Sequence, residues 1–388
     1  MIETSKLKLA RLQRDWSQTQ LIAAMKRAAP GLRVRLPEVE SLRTNIRRWE
    51  NDHIVPGPEY RKLFRAVYAM TDDELGFPSP DLAEALTITT ALTLSREGLA
   101  YFGTLLDAHI KADNLIGGRR VLGFVEQEAR ELNLAVREAR GQLRPDVLTM
   151  AVRFHELTGW LRQDSGRHTA AMAATDRACD LATEIRDPLL RAYLLMRKSN
   201  IATDASEPHL GAALADAALA AAPGAPARLR AVILRQKANA HAALADVSGC
   251  SAAIEQSFDA IQDADAADSL ASYCTQHYVA MEAAACWNRL AMPQRALTIL
   301  DGSGSAWPVE QRRDKGLYLA RLATAHAGAG DVTRACTVGN EAVTVAGVTG
   351  SVRTIAELRR LHAALVNVRD DGADAVRAAV ASLVATAA

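Results

Sequence analysis

The stretch "SLRTNIRRWEN", Ser41 to Asn51, gathers three arginines beside a tryptophan. At about 100° per helical residue, Leu42, Ile46 and Trp49 fall on one side, and Arg43, Thr44, Arg47, Arg48 and Asn51 fall on the other. The apolar side can lock onto a preceding helix. The polar side offers guanidinium forks, whose paired donors match guanine O6 and N7 or the oxygens of a phosphate. Base contact needs the N-terminal half of such a helix in a major groove, with phosphate contacts from neighbouring elements fixing its register. Gln18, near the start of the preceding helical segment, is placed for a phosphate.

No second chemistry is spelled out. The chain has no H-E-x-x-H, no phosphate-binding glycine loop, no nucleophile elbow and no clustered metal-ligand set. Its five cysteines are scattered, odd in number and without a C-x-x-C pair, which fits reduced thiols better than disulfides or zinc. His155, His168 and His362 lie too far apart in sequence to imply a site. The expectation is a protein that is not an enzyme and needs no metal or cofactor. "MIETSKLKLARLQRDW" has no apolar core of signal-peptide length, and no apolar run reaches membrane-span length. A soluble, cytoplasmic chain without a membrane partner is expected.

The elements that must carry these residues are helices. Ala, Leu, Arg and Glu dominate, and no strand-like alternation persists, so the fold class is all-α. Charge is segregated along the 388 residues. Residues 1–70 hold 14 lysines and arginines against 7 aspartates and glutamates, a formal +7, which leaves −6 for the rest of a chain whose total is +1. A basic head on an acidic body is the asymmetry expected when only the head meets phosphate. Leu7, Leu12 and Trp16 share a face; Ser17 is a helix N-cap; Thr71 with Glu74 forms a capping box. "FPSP" closes this head near residue 78. Residues 79–146 read as a helical connector broken at Gly117-Gly118.

From residue 147 to 388 the chain repeats. Trp160, Ile201, His241, Trp287 and His326 recur at intervals of 41, 40, 46 and 39 residues, each followed nine residues later by a position that opens a second helix. A helical hairpin repeated at this spacing is the signature of an α-solenoid, with a unit longer than the roughly 34-residue tetratricopeptide repeat.

Residues 5–78 resemble the DNA-binding domain of phage-repressor-like (XRE-family) regulators. "WSQTQLIAAM" is similar to the first helix of that family's helix-turn-helix, and "SLRTNIRRWEND" to its recognition helix. The resemblance implies base contacts from Arg43, Thr44 and Arg48, phosphate contacts from Gln18 and Asn51, and an ion pair between Arg11 and Glu50 that ties the first helix to the recognition helix. Arg47 belongs to the same basic face. Asp52 stands where the family usually has glycine, and the link "APGLRVRLPEVE", Ala29 to Glu40, is longer than the family's turn. Its Arg33 and Arg35 could form an added phosphate-contacting arm. Residues 147–388 resemble the tetratricopeptide-like C-terminal regions of actinobacterial one-component regulators.

The expected function is therefore a sequence-specific transcriptional regulator. Double-stranded DNA is its partner, and it acts as a homodimer, because one head buries too little surface for tight selective binding. A peptide, small molecule or protein effector is expected on the solenoid, whose first helices line the concave side. Lys198 and Asn200, polar within an apolar segment, and Tyr278 and Trp287 are its candidate residues. The competing reading is a protein-interaction scaffold whose helical head does not bind DNA.

Overall fold

Helix boundaries follow local capping chemistry. The structure, a computed structural model, describes residues 5–32, 34–51, 56–77, 95–264, 270–302, 307 and 311–387. All its regular structure among these residues is helical. The chain divides into two units, Met1–Thr89 and Thr90–Ala388. Arg33, Asp52 and the expected boundary at Pro78–Pro80 lie outside the described residues.

The first unit holds α1 (Lys6–Leu12), α2 (Gln18–Leu32), α3 (Val39–Glu50), α4 (Pro58–Tyr68) and α5 (Asp72–Leu75). The Ser5 hydroxyl accepts from the Lys8 amide at the start of α1. Ser17 and Gln20 cap α2 reciprocally, at 3.3 and 2.7 Å, and Thr71 and Glu74 do the same for α5. The long link is shorter than the sequence suggests. α2 runs on through Pro30 to Leu32, and α3 begins at Val39. Leu12 does not join the core: α1 ends there, and the side chain is 47% exposed. Trp16, beyond the helix, packs on Tyr68 with ring centroids 6.0 Å apart. The core is formed by Leu21, Met25, Leu42, Ile46, Leu63 and Phe64, each fully buried. Such side chains contribute roughly 1.5–3 kcal/mol apiece.

The second unit begins with α6 (Arg96–Ile116) and α7 (Leu122–Glu138). Six hairpins follow: α8 (Arg144–Asp164) with α9 (His168–Ile185), α10 (Pro188–Asp204) with α11 (Pro208–Ala221), α12 (Ala227–Ala243) with α13 (Val247–Gln262), α14 (Gln276–Arg289) with α15 (Pro293–Gly302), α16 (Arg312–Gly328) with α17 (Val332–Thr349), and α18 (Val352–Ala364) with α19 (Asp371–Ala387). From α10 to α18, each first helix packs on the first helix of the next hairpin. α6 and α7, set apart by sequence as a connector, share one hydrophobic core with α8 to α14.

Five of the hairpin turns are built alike. Each places one residue in the left-handed region: Gly166, Ser206, Ala245, Ala291 and Gly330, with φ between 56° and 83°. In each, the next residue's amide donates back to the carbonyl of Arg162, Ala202, His241, Trp287 or His326. The sequence anchors therefore match the structural repeat at His241, Trp287 and His326. Trp160 and Ile201 are displaced from it by two residues and one. His241 and His326 each turn Nδ1 to the aspartate that caps the following helix, Asp246 at 2.8 Å and Asp331 at 3.6 Å.

The stack of hairpins returns to its own start. α6 packs against α16 and α17 as well as α8. Gly117 is a point of closest approach: its φ is +90°, and a Cβ there would lie 1.8 Å from the Thr349 carbonyl oxygen. Ser351 donates to Asp164 at 2.8 Å, and Arg313 bonds Asp113, two hundred residues earlier. The start of the unit is thus in contact with its later hairpins.

Candidate functional site

Two surfaces carry unusual chemistry, one in each unit. In the first unit, α3 buries Leu42, Ile46, Trp49 and Glu50. The Trp49 ring lies 4.8 Å from Tyr60 and 5.6 Å edge-on from Phe64. Beneath it, the Glu50 carboxylate accepts from Arg11 Nε at 2.6 Å, Arg11 Nη2 at 3.1 Å and Gln18 Nε2 at 3.0 Å. The Ser5 hydroxyl donates to the Glu50 carbonyl at 2.6 Å. The bond to Glu50 holds the Arg11 guanidinium above its ordinary range. One buried carboxylate therefore joins the end of α3 to α1 and to the start of α2.

The outer side of α3 is left open. Thr44, Arg47, Arg48 and Asn51 are exposed, and Arg43 is partly so. Arg47 and Arg48 make no side-chain hydrogen bond or ion pair to a described residue. Arg43 pairs with Glu40 at 3.0 Å, one turn earlier on the helix. Asn51 Nδ2 donates to the Arg47 carbonyl at 2.8 Å and so closes the helix end. Of the expected phosphate contacts, Gln18 donates to Glu50 and the Asn51 amide donates back to its own helix. Arg35 is exposed in the link, and Arg33 lies outside the described residues. A helix with a fixed inner side and two exposed guanidiniums that have no partner among the described residues can offer bidentate donors to an oxyanion or a base edge.

In the second unit, polar side chains on the first helices form a ladder through the interior. Gln163 on α8 donates to Asn200 on α10 at 2.8 Å, and Asn200 donates to Gln236 on α12 at 2.8 Å. Arg235 next to it reaches Glu282 on α14 at 3.4 Å. Glu282 also receives Arg321 from α16 at 3.0 Å and Arg353 from α18 at 3.3 Å. Burial alone would push the Glu282 carboxyl up; Arg321, Arg235 and Arg353 outweigh it and hold the group well below the usual carboxylate range. Trp160 donates to Asp113 at 2.8 Å, and the guanidiniums of Arg313, Arg197 and Arg353 lie 4.7, 5.1 and 5.4 Å from its ring centroid.

Two cavities open on this ladder. The larger, about 470 Å³, touches every first helix from α8 to α18. The smaller, about 150 Å³, is bounded by Trp160, Tyr193, Tyr278 and Arg313. Of the four expected effector residues, only Tyr278 lines either cavity, and its hydroxyl already accepts from Arg235 at 2.8 Å. Asn200, 2% exposed, is enclosed in the ladder. Lys198 turns away to Asp176 on α9 at 2.8 Å. Trp287 is core, with the Arg295 guanidinium 4.7 Å from its ring. Sequence reasoning missed Glu282, Arg313, Arg321 and Arg353. The available signal was a lone charge inside a small-residue helix, as in "VAMEAAACW".

Asp164 sits where the stack closes. Burial pushes its carboxyl up to about 7 from 3.8, with Asp113 adding to the effect, against the pull of Arg313, Arg353 and the Ser351 hydroxyl. Between those values the folded chain holds a proton that the unfolded chain has released. Its contribution to stability is therefore complete below about pH 4 and is lost as the pH rises through about 7. Asp164→Asn is expected to gain stability relative to the parent on going from acid to neutral pH, read from urea midpoints at both. An offset between variant and parent that is the same at both pH values would sink the assignment.

Among the described residues, no group of histidine, cysteine, aspartate and glutamate could hold a metal ion, and no helix is long and apolar enough to cross a membrane. No family model matches the chain, and no curated protein does. Among solved structures it is similar to BtubC (BKLC) from P. vanneervenii, with a TM-score of 0.41 and 16% sequence identity over 66% of this chain and 94% of that one.

Proposed function

We propose that this protein is a sequence-specific, DNA-binding regulator, acting as a homodimer, whose second unit takes an effector in its interior. The observation that carries the reading is α3: its inner side is fixed by Leu42, Ile46, Trp49 and Glu50, while Arg47 and Arg48 are exposed and have no partner among the described residues. The +7 charge of residues 1–70 and their resemblance to repressor-like heads point the same way. Thr44, Arg48 and Arg43 read base edges, and Arg43 exchanges Glu40 for the groove. Arg47 and Arg35 meet phosphate. Two heads engage two half-sites about one helical turn apart or a multiple of it, and effector binding changes their spacing. No catalytic step is assigned.

Titration of labelled genomic duplexes at two salt concentrations tests this. The parent chain should select among sequences and show a steep salt slope. Arg48→Ala should lose about 1–3 kcal/mol of discrimination at its base pair. Arg47→Ala should weaken all duplexes alike and reduce the salt slope by about 1. If both variants bind every duplex as the parent does, α3 is not the reading helix.

A further inference from the structure

The larger interior cavity has the chemistry of an anion site. Four guanidiniums line it, Arg289, Arg321, Arg353 and Arg360, against three carboxylates, Asp204, Glu282 and Glu357. Those carboxylates are already engaged. Glu282 holds Arg321 and Arg353, together with Arg235 from behind the wall. Glu357 holds Arg360 at 2.5 Å and reaches Arg321 only at 3.9 Å. Asp204 accepts from Gln163 at 2.7 Å. Five guanidiniums thus share three acids.

Donors are left over, and they line the same cavity. Arg289 on α14 makes no hydrogen bond or ion pair to a described residue. Arg353 makes one, at 3.3 Å, which leaves its Nε and Nη1 without an acceptor among the described residues. Asn239 on the adjacent α12 also faces the cavity without a described partner. In the wall, Arg321 Nε is buried with no hydrogen bond, although Arg321 is only 4% exposed. Half-buried cations facing a cavity without acceptors are costly, and an oxyanion satisfies them with charge-assisted bonds. The rest of the lining mixes polar side chains, Gln163, His168, Thr203 and Ser206, with an apolar set that includes Ala243, Ala285, Leu317 and Ala356. At about 470 Å³ the space suits a small ligand rather than a folded partner.

We infer that this chamber binds a small organic anion, with its carboxylate or phosphate held by Arg289 and Arg353 and its carbon skeleton against the alanines. The site joins α12 and α14 to α18, so the occupied chamber braces the closure of the stack. This deepens the effector half of the proposed function and rests on it.

Citrate and inorganic phosphate, each at ionic strength matched with chloride, are the probes, added to the full chain and read by thermal shift and calorimetric titration. One or both should raise the melting temperature saturably above the chloride control. A response to citrate alone assigns a carboxylate, and a response to phosphate alone a phosphate. Arg289→Ala, which removes no bond to a described residue, should melt as the parent does without ligand and bind about tenfold more weakly or worse, the loss of one hydrogen bond to a charged group. Arg353→Lys should also weaken binding. No saturable shift from either anion, or unchanged binding by Arg289→Ala, overturns the inference. Duplex titration of the α3 variants is scored separately: anion binding without duplex selection leaves the chamber and removes the regulator, and the reverse result does the opposite.

Discussion

Glu282→Ala is expected to cost the second unit most of its stability. The carboxylate is 3% exposed and is the shared counter-ion of Arg235, Arg321 and Arg353 from three other helices, α12, α16 and α18. Removing it leaves Arg235 and Arg353 in the interior with no ion pair to a described residue, and Arg321 with only Glu357, at 3.9 Å. Breaking one buried pair from one side costs about 3–5 kcal/mol, and a whole domain is stable by only about 5–15 kcal/mol. Glu282→Gln keeps the shape and loses the charge, so it should fall nearly as far. Denaturant titration followed by circular dichroism reads the effect, and an unchanged midpoint for Glu282→Ala would show that the ladder is not held by this residue. The sign with pH is the reverse of that at Asp164. A carboxyl held below its ordinary range contributes stability that is complete above about pH 4.5 and is lost as the pH falls further. The alanine variant should therefore lack that part of the parent's acid sensitivity.

The contrast between Glu282 and the expected effector residues shows what a sequence carries. Helical periodicity marks a side, and the stripe Leu42, Ile46 and Trp49 was legible because three large apolar residues define it. In α10 the neighbours Arg197 and Lys198 are equally polar, yet a step of one residue, about 100°, sends Arg197 inward to Glu156 at 2.8 Å and Lys198 outward to Asp176. Nothing in "LLMRKSN" separates them, because apolar residues surround both. The spacing of the hairpins was legible, since small residues and turns recur with it. Closure of the stack was not: Asp113 and Arg313 are joined across two hundred residues, and neither has a local pattern that names the other. The Arg11–Glu50 contact came within reach of the sequence only through the family resemblance. The inward turn of Gln18 depends on the position of Glu50 in three dimensions, which the helix pattern of α2 alone does not contain.

Glu50→Ala is expected to unfold the first unit while leaving the second intact. Glu50 is 2% exposed, and its carboxylate takes three hydrogen bonds from Arg11 and Gln18. Its removal leaves Arg11, 9% exposed, with only the Trp16 carbonyl as a described acceptor, at 2.6 Å. The cost is again about 3–5 kcal/mol, and a unit of this size has less buried surface from which to meet it. Hydrogen exchange should show the amides of α3 losing protection, with those of α12 and α16 unchanged, and duplex binding should disappear. Arg48→Ala is the companion measurement. Its side chain is exposed and has no partner among the described residues, so it should lose duplex selectivity with no change in exchange. Replacing both partners, Arg11→Met with Glu50→Leu, should recover much of the protection, because a buried pair can be exchanged for apolar packing when neither charge is left behind. If the double variant regains both protection and duplex binding, the pair acts by positioning α3. Full protection in Glu50→Ala alone would mean that Leu42, Ile46 and Trp49 hold α3 without it.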